Sequence, residues 1–215
     1  MQDNSHLPGS AEPQPGTRRP GGRTARTRTA VLDATLAELA EIGYGSASLD
    51  RIAQRANVAV STIYRRWGSL EALIRDAADQ LATEFTLPDT GDLEQDLRYI
   101  AGAIVRLRGN PAHQGWLDCM VSTAVRDPAA RSTLTAAIND RAERAAVAVL
   151  RAIDRGEVPA DTDPIQVIRW LAAPIYQRIY LTGEPIDIDL ADRCAAIAAH
   201  AARAGLLSRF SPGNG

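Results

Sequence analysis

Residues 46–67 read Ser46-Ala47-Ser48-Leu49-Asp50-Arg51-Ile52-Ala53-Gln54-Arg55-Ala56-Asn57-Val58-Ala59-Val60-Ser61-Thr62-Ile63-Tyr64-Arg65-Arg66-Trp67, and this stretch decides the fold. Ser48 is placed to cap a short helix by accepting a backbone N–H of its first turn. Ile52, Ala53 and Ala56 fall on the inner face of that helix, and Ala53 is small where a second helix has to cross closely. Asn57 stands at the turn, where a left-handed backbone is needed and asparagine is the best choice after glycine. Val58 follows as an apolar plug under the turn. The spacing predicts a second helix from about Val60, with Ile63 and Trp67 inward and Ser61, Thr62, Tyr64, Arg65 and Arg66 largely outward.

That division is what a recognition helix requires. Short polar side chains at its start, Ser61 and Thr62 beside Val60, suit base edges and thymine methyls in a major groove. Tyr64, Arg65 and Arg66 suit phosphates. Spacing alone leaves a second reading open, an ordinary helical hairpin with a charged solvent face.

Outward from this pair, residues 1–22 are rich in Pro, Gly and polar side chains, show no periodicity and are expected to be a disordered tail. Arg23, Arg26 and Arg28 make a basic approach to the first helix, either a solvated tail or an arm that adds phosphate contacts. That helix is predicted over Thr24 to Ile42, with Leu32, Leu36 and Leu39 on one face and Gly43 ending it. A fourth helix is predicted from Ser69, as its cap, to about Phe85. The run Leu87-Pro88-Asp89-Thr90-Gly91-Asp92 is the clearest break.

Beyond it, Leu93, Leu97, Ile100, Ile104 and Leu107 keep helical spacing. Further helices are expected over Ala112 to Val125, from Pro128 behind an Asp127 cap to near Gly156, from Pro164 behind Asp163 to Leu181, and from Asp189 to Ala204. Pro174 lies inside the penultimate helix and bends it, making room for a ligand or fitting an interface. No strand signal appears, so the fold is expected to be all-α with about nine helices. The expected divisions are a tail at 1–22, a helix-turn-helix domain at 23–68, a connecting helix at 69–86 and a helical body at 87–210.

Residues from about Thr29 to Leu73 resemble the DNA-binding domain of the TetR (tetracycline-repressor-like) family. The resemblance rests on Gly43-Tyr44 closing the first helix, on Ser48 leading into Ile52-Ala53, on Thr62-Ile63-Tyr64 with Trp67 three on, and on Ser69, Glu71 and Leu73. Three positions depart from the family pattern. Asn57 stands where glycine is usual, which the turn permits. Ala59 replaces the serine that caps the recognition helix, a loss of roughly 1 kcal/mol. Leu70 stands where a lysine commonly touches phosphate.

The resemblance implies a regulator, a repressor by expectation, that binds palindromic double-stranded DNA as a homodimer and is released by a small molecule. Ser48, Val60, Ser61, Thr62, Tyr64, Arg65, Arg66 and Ser69 are the candidate DNA contacts, with Arg23, Arg26 and Arg28 of the arm. The dimer is expected through the last two helices, by Ile168, Leu171, Ile175, Ile179, Leu190, Cys194, Ile197 and Ala201. Val167, Trp170 and Leu181 keep another side of the penultimate helix apolar too. Candidate ligand residues are Tyr99, Trp116, Cys119, Met120, Trp170 and Tyr176. No buried charge cluster shows in the sequence, so an apolar or aromatic effector is expected. The alternative is a DNA-binding regulator without a ligand, controlled by a protein partner or by its abundance.

Composition bounds the other classes. All 24 basic side chains are arginine, and the net charge is −2. Ten of those arginines face seven acids in residues 1–75, whereas the rest of the chain is acidic. His6, His113 and His200 are the only histidines, and neither Cys119 nor Cys194 is near one in sequence. With no Gly-rich phosphate loop and no metal-ligand spacing, neither catalysis nor a cofactor is expected. No apolar run is long enough for a bilayer and no signal-peptide core is present, so a cytoplasmic protein is expected.

Overall fold

The structure is a computed structural model that describes residues 22–83 and 86–209; the expected tail, residues 1–21 in particular, and the end of the fourth helix at Phe85 lie outside the described residues. Nine α-helices are present among them. They are α1 (Gly22–Ile42), α2 (Leu49–Arg55), α3 (Val60–Trp67), α4 (Leu70–Thr83), α5 (Leu93–Arg108), α6 (Pro111–Ala124), α7 (Pro128–Asp154), α8 (Pro164–Gln177) and α9 (Ile188–Arg203). Apart from an isolated bridge between Thr162 and Ser208, no strand occurs among the described residues. No helix there is long and apolar enough to cross a membrane.

Helix starts follow local side-chain chemistry. Asp92, Asn110, Asp127, Asp163 and Asp187 each accept a backbone N–H in the first turn of α5, α6, α7, α8 and α9. Pro111, Pro128 and Pro164 then take the first helical position, where a missing N–H costs nothing. The last helix begins before the expected Asp189 because Asp187 is the residue whose carboxylate meets Leu190 N, at 2.8 Å. Past Pro174, which cannot donate to the preceding turn, α8 gives way to a π-turn over Arg178–Thr182 closed by Gly183.

Two apolar cores result. One joins Leu32, Leu36 and Leu39 of α1 to Ile52, Ile63, Leu73 and Ile74, and it continues into Trp116, Leu117 and Met120 of α6. The other packs Leu93 and Leu97 of α5 against Val149 of α7, Leu171 and Ile175 of α8, and Leu190, Ala191, Ala195 and Ala198 of α9. Alanines on α9 let it lie close to its neighbours. Helix α6 touches α1 just as tightly: a Cβ at Gly115 would stand 2.9 Å from Ala40 Cβ, so only glycine fits. The N-terminal head and the body are therefore packed on one another through α6 rather than merely tethered by α4.

Candidate functional site

The head presents α3 by several local devices. Ser48 Oγ accepts from Arg51 N at 3.3 Å and starts α2. Asn57 holds φ 54°, the one positive φ outside glycine among the described residues, and so turns the chain into α3. Ala59 has the extended backbone of a cap but offers no side-chain acceptor, as its sequence implied. Ile63 is fully buried and Trp67 half-buried, while Ser61, Tyr64, Arg65 and Arg66 are exposed and Val60 and Thr62 partly so. Gly68, at φ 74°, ends the helix, and Ser69 Oγ caps α4 through Ala72 N at 3.2 Å.

An anchor that the sequence did not reveal fixes this face. Asp76 of α4 accepts from Trp67 Nε1 at 2.7 Å and pairs with Arg28 of α1. One carboxylate thus ties the end of α3 and the start of α1 to α4. The basic approach divides accordingly: Arg28 is held by Asp76, Arg26 is exposed, and the Arg23 side chain lies outside the described residues. Thr24, Thr27 and Arg28 line an open groove with Thr62, Arg65, Arg66 and Trp67, so the first turns of α1 stand beside α3. The Arg66 guanidinium lies 5.2 Å from the Trp67 ring centre. Behind this face, buried Glu38 of α1 holds Arg51 and Arg55 of α2, the latter at 3.1 Å. Leu70 is half-buried in the head core, which accounts for an apolar residue there.

The body holds a cavity of about 250 Å³ between α5, α7 and α8. Its walls are Ile100, Ile104 and Leu107, Ile138, Ala142 and Ala145, and Ile168 and Ala172, with Leu87 at one side. Its polar lining is His113, Tyr176 and three arginines, Arg141, Arg144 and Arg169. Arg141 bonds to His113 Nε2 at 3.0 Å and donates to Ala78 O at 2.9 Å, and its guanidinium covers the Trp116 ring at 5.2 Å. Arg144 pairs with Asp79 at 2.8 Å. Burial holds the Arg141 pKa below the ordinary arginine value. Burial, with the charges of Arg141 and Arg108, pushes His113 down to about 4, so its ring is neutral at neutral pH.

Among the expected ligand residues, only Tyr176 lines this cavity. Trp116 and Met120 are fully buried in the head-side core, and Cys119 packs against it, because α6 turns that face to α1. Tyr99 is exposed with Arg106 over its ring, and Trp170 is 62% exposed. The missed residues had a signal: Ile138, Arg141, Ala142 and Ala145 share one face of α7, an apolar stripe interrupted by an arginine.

The expected interface residues lie mostly within the protomer. Ile168, Leu171, Ile175, Leu190 and Cys194 are buried in the protomer's own core, and Ile179 and Ala201 pack against it; only Ile197 is exposed, at 69%. Helix α8 is apolar on two sides, and the stripe with more of the large aliphatics turned inward. The outward stripe is Trp170, Ala173, Pro174 and Gln177, continued by Leu181 of the π-turn.

The head and body together make an all-α protein with a helix-turn-helix at one end and a cavity in its body. Residues 31–77 match the family model of bacterial regulatory proteins of the tetR family, and residues 87–198 match that of the tetracyclin repressor-like C-terminal domain. The HTH-type transcriptional regulator AqdR of Rhodococcus erythropolis is 29% identical over 178 residues, 82% of this chain and 84% of that protein. The DNA-binding transcriptional repressor TetR of Mycobacteroides abscessus is 30% identical over 169 residues, 75% of this chain and 86% of that one. Among solved structures, the TetR family regulator SCO0332 superposes with a TM-score of 0.66 at 22% identity, covering 81% of this chain and 97% of that chain. The flavonoid-responsive regulator FrrA superposes with 0.60 at 17% identity, covering 87% and 100%.

The chain belongs to the TetR family of bacterial regulatory proteins. It is a transcriptional regulator with an N-terminal DNA-binding domain, in a family of regulators rather than enzymes.

Proposed function

We propose that this protein is a homodimeric repressor that releases a palindromic operator when a small molecule enters the cavity of the body. The observation that carries the reading is the linkage of that cavity to α4. Arg141 and Arg144 of the cavity wall are bonded to Ala78 O and Asp79, and the same helix carries Asp76, which holds Trp67 and Arg28 at the DNA-reading face. A ligand that moved the two arginines would act on the orientation of the head, which is the differential contact an allosteric effector needs. A relative of the same fold, FrrA, is named as flavonoid-responsive.

In this reading α3 enters the major groove, with Val60, Ser61 and Thr62 at base edges and Tyr64, Arg65, Arg66, Ser48 and Ser69 at phosphates. Two copies meet through the outward stripe of α8 around Trp170 and Leu181 together with Ile197 of α9. Operator fragments selected from genomic DNA provide the test. Tyr64→Ala and Arg65→Ala are expected to weaken binding to all sequences and to reduce the salt slope by about one. Thr62→Ala is expected to relax sequence choice instead. Unchanged binding by all three overturns the assignment of α3. An operator complex that survives every compound found to stabilise the protein overturns the effector reading and leaves control by a partner or by abundance.

A further inference from the structure

We propose that the effector is an amphipathic carboxylate, its apolar body between α5, α7 and α8 and its carboxylate on Arg141. This rests on the effector reading above and adds the chemical class. The cavity walls are aliphatic, yet three arginines line it and no Asp or Glu does. Arg144 is paired with Asp79, and Arg169 is exposed to solvent, bonded to Asn139 Oδ1 at 3.3 Å. Arg141 differs from the first in having no carboxylate bonded to it and from the second in its burial. Its bonding partners at His113, Ala78 and Tyr176 are neutral, its Nε is buried with no hydrogen-bond partner, and its charge rests on the Trp116 face. Asp79 is the carboxylate whose charge reaches it, and Arg144 already binds Asp79. A buried guanidinium with an unpartnered Nε–H and no carboxylate bonded to it is a poor arrangement for stability and a good one for recognition. A carboxylate supplies the missing negative charge together with hydrogen-bond acceptors, where an alcohol or an amide supplies no charge. His113 is neutral beside it, so it adds no second charge, and Tyr176, bonded to Arg141, lines the same cavity. The site therefore fits one negative charge joined to a hydrocarbon or aromatic body rather than a wholly apolar compound or a polyanion.

The test uses the full chain with matched probes, decanoate against decanol and naphthoate against naphthalenemethanol, read by intrinsic tryptophan fluorescence and by melting temperature. The acids are expected to bind about tenfold to a hundredfold more tightly than their alcohols. Arg141→Met is expected to lose that preference while still binding the alcohols, which shows that the variant is folded. Ile104→Trp, which fills the aliphatic wall, is expected to lose both. Acid and alcohol of equal affinity, or a preference that survives in Arg141→Met, overturns the carboxylate; if the alcohols still release operator DNA, the effector reading stands without it. Failure of both acids to bind saturably overturns the inference as well, and release of the operator by any neutral compound then still supports the effector reading.

Discussion

At the scale of single residues, Asp76 and His113 show how much depends on side chains that no motif marks. Asp76 satisfies Trp67 Nε1 and Arg28 together, so it couples the positions of α1, α3 and α4. Asp76→Ala is expected to cost about 2 kcal/mol in urea unfolding, because it leaves an indole N–H half-buried without an acceptor. In that background Trp67→Phe should cost less than it does alone, and strict additivity of the two would contradict the coupling. His113 makes a prediction about pH. Its folded pKa is near 4 against an ordinary value of 6.5, so the unfolded chain binds the proton first as the pH falls. Its contribution is complete above about pH 6.5, declines as pH falls from there, and is fully lost below about pH 4. Unfolding midpoints followed through that window should fall less steeply in His113→Gln than in the parent; equal slopes would remove His113 from the account.

At the scale of elements, α3 is the helix that depends most on its surroundings. It has eight residues and no side-chain cap, and helices this short are marginal by themselves. Ile63 and Trp67 hold it from below, and Asn57 and Gly68 set its ends. Ala59 is exposed with φ −68° and ψ 135°, the backbone a capping serine adopts. Ala59→Ser is therefore expected to stabilise the protein by about 0.5–1 kcal/mol, measured as a higher urea midpoint with an unchanged slope. No gain would mean that the first turn of α3 is already satisfied in some other way. Helix α8 is the opposite case. Its start and its capping aspartate were legible in the sequence, while the expected end at Leu181 falls in the π-turn; it is apolar on two sides, and the residues expected for the dimer lie on the side that the body itself buries.

At the scale of the whole molecule, three features lie on one path: the reading face at α3, the cavity in the body, and the outward stripe of α8. Helix α4 joins the first two, and the close contact of Gly115 with Ala40 adds a second connection through α6. Trp170, Leu181 and Ile197 are large apolar side chains left exposed on the last two helices and the turn between them. The double variant Trp170→Glu with Ile197→Glu is expected to keep its helix content, to sediment as a monomer, and to lose about a hundredfold or more in operator affinity as the two half-sites cease to be held together. A variant that stays dimeric places the interface elsewhere.

The amino-acid sequence by itself determined the local features. Among the described residues, the nine helices, the Asp127 and Asp163 caps with Pro128 and Pro164, the left-handed turn at Asn57, the missing cap at Ala59 and the outward set on α3 all follow from interactions within a few residues, which spacing records directly. The family resemblance was legible for the same reason, since a helix-turn-helix is set by near neighbours. Only the tertiary structure decided which apolar face of α8 turns inward and that Trp116 and Met120 serve the head rather than the cavity. It also decided that Arg141, Arg144 and Arg169 converge on an aliphatic space, and that Asp76 meets Arg28, 48 residues away in sequence. Burial and ion pairing across such separations depend on how whole helices pack, and a helix with two apolar faces, or an arginine within an apolar stripe, has the same local pattern whichever partner it finds.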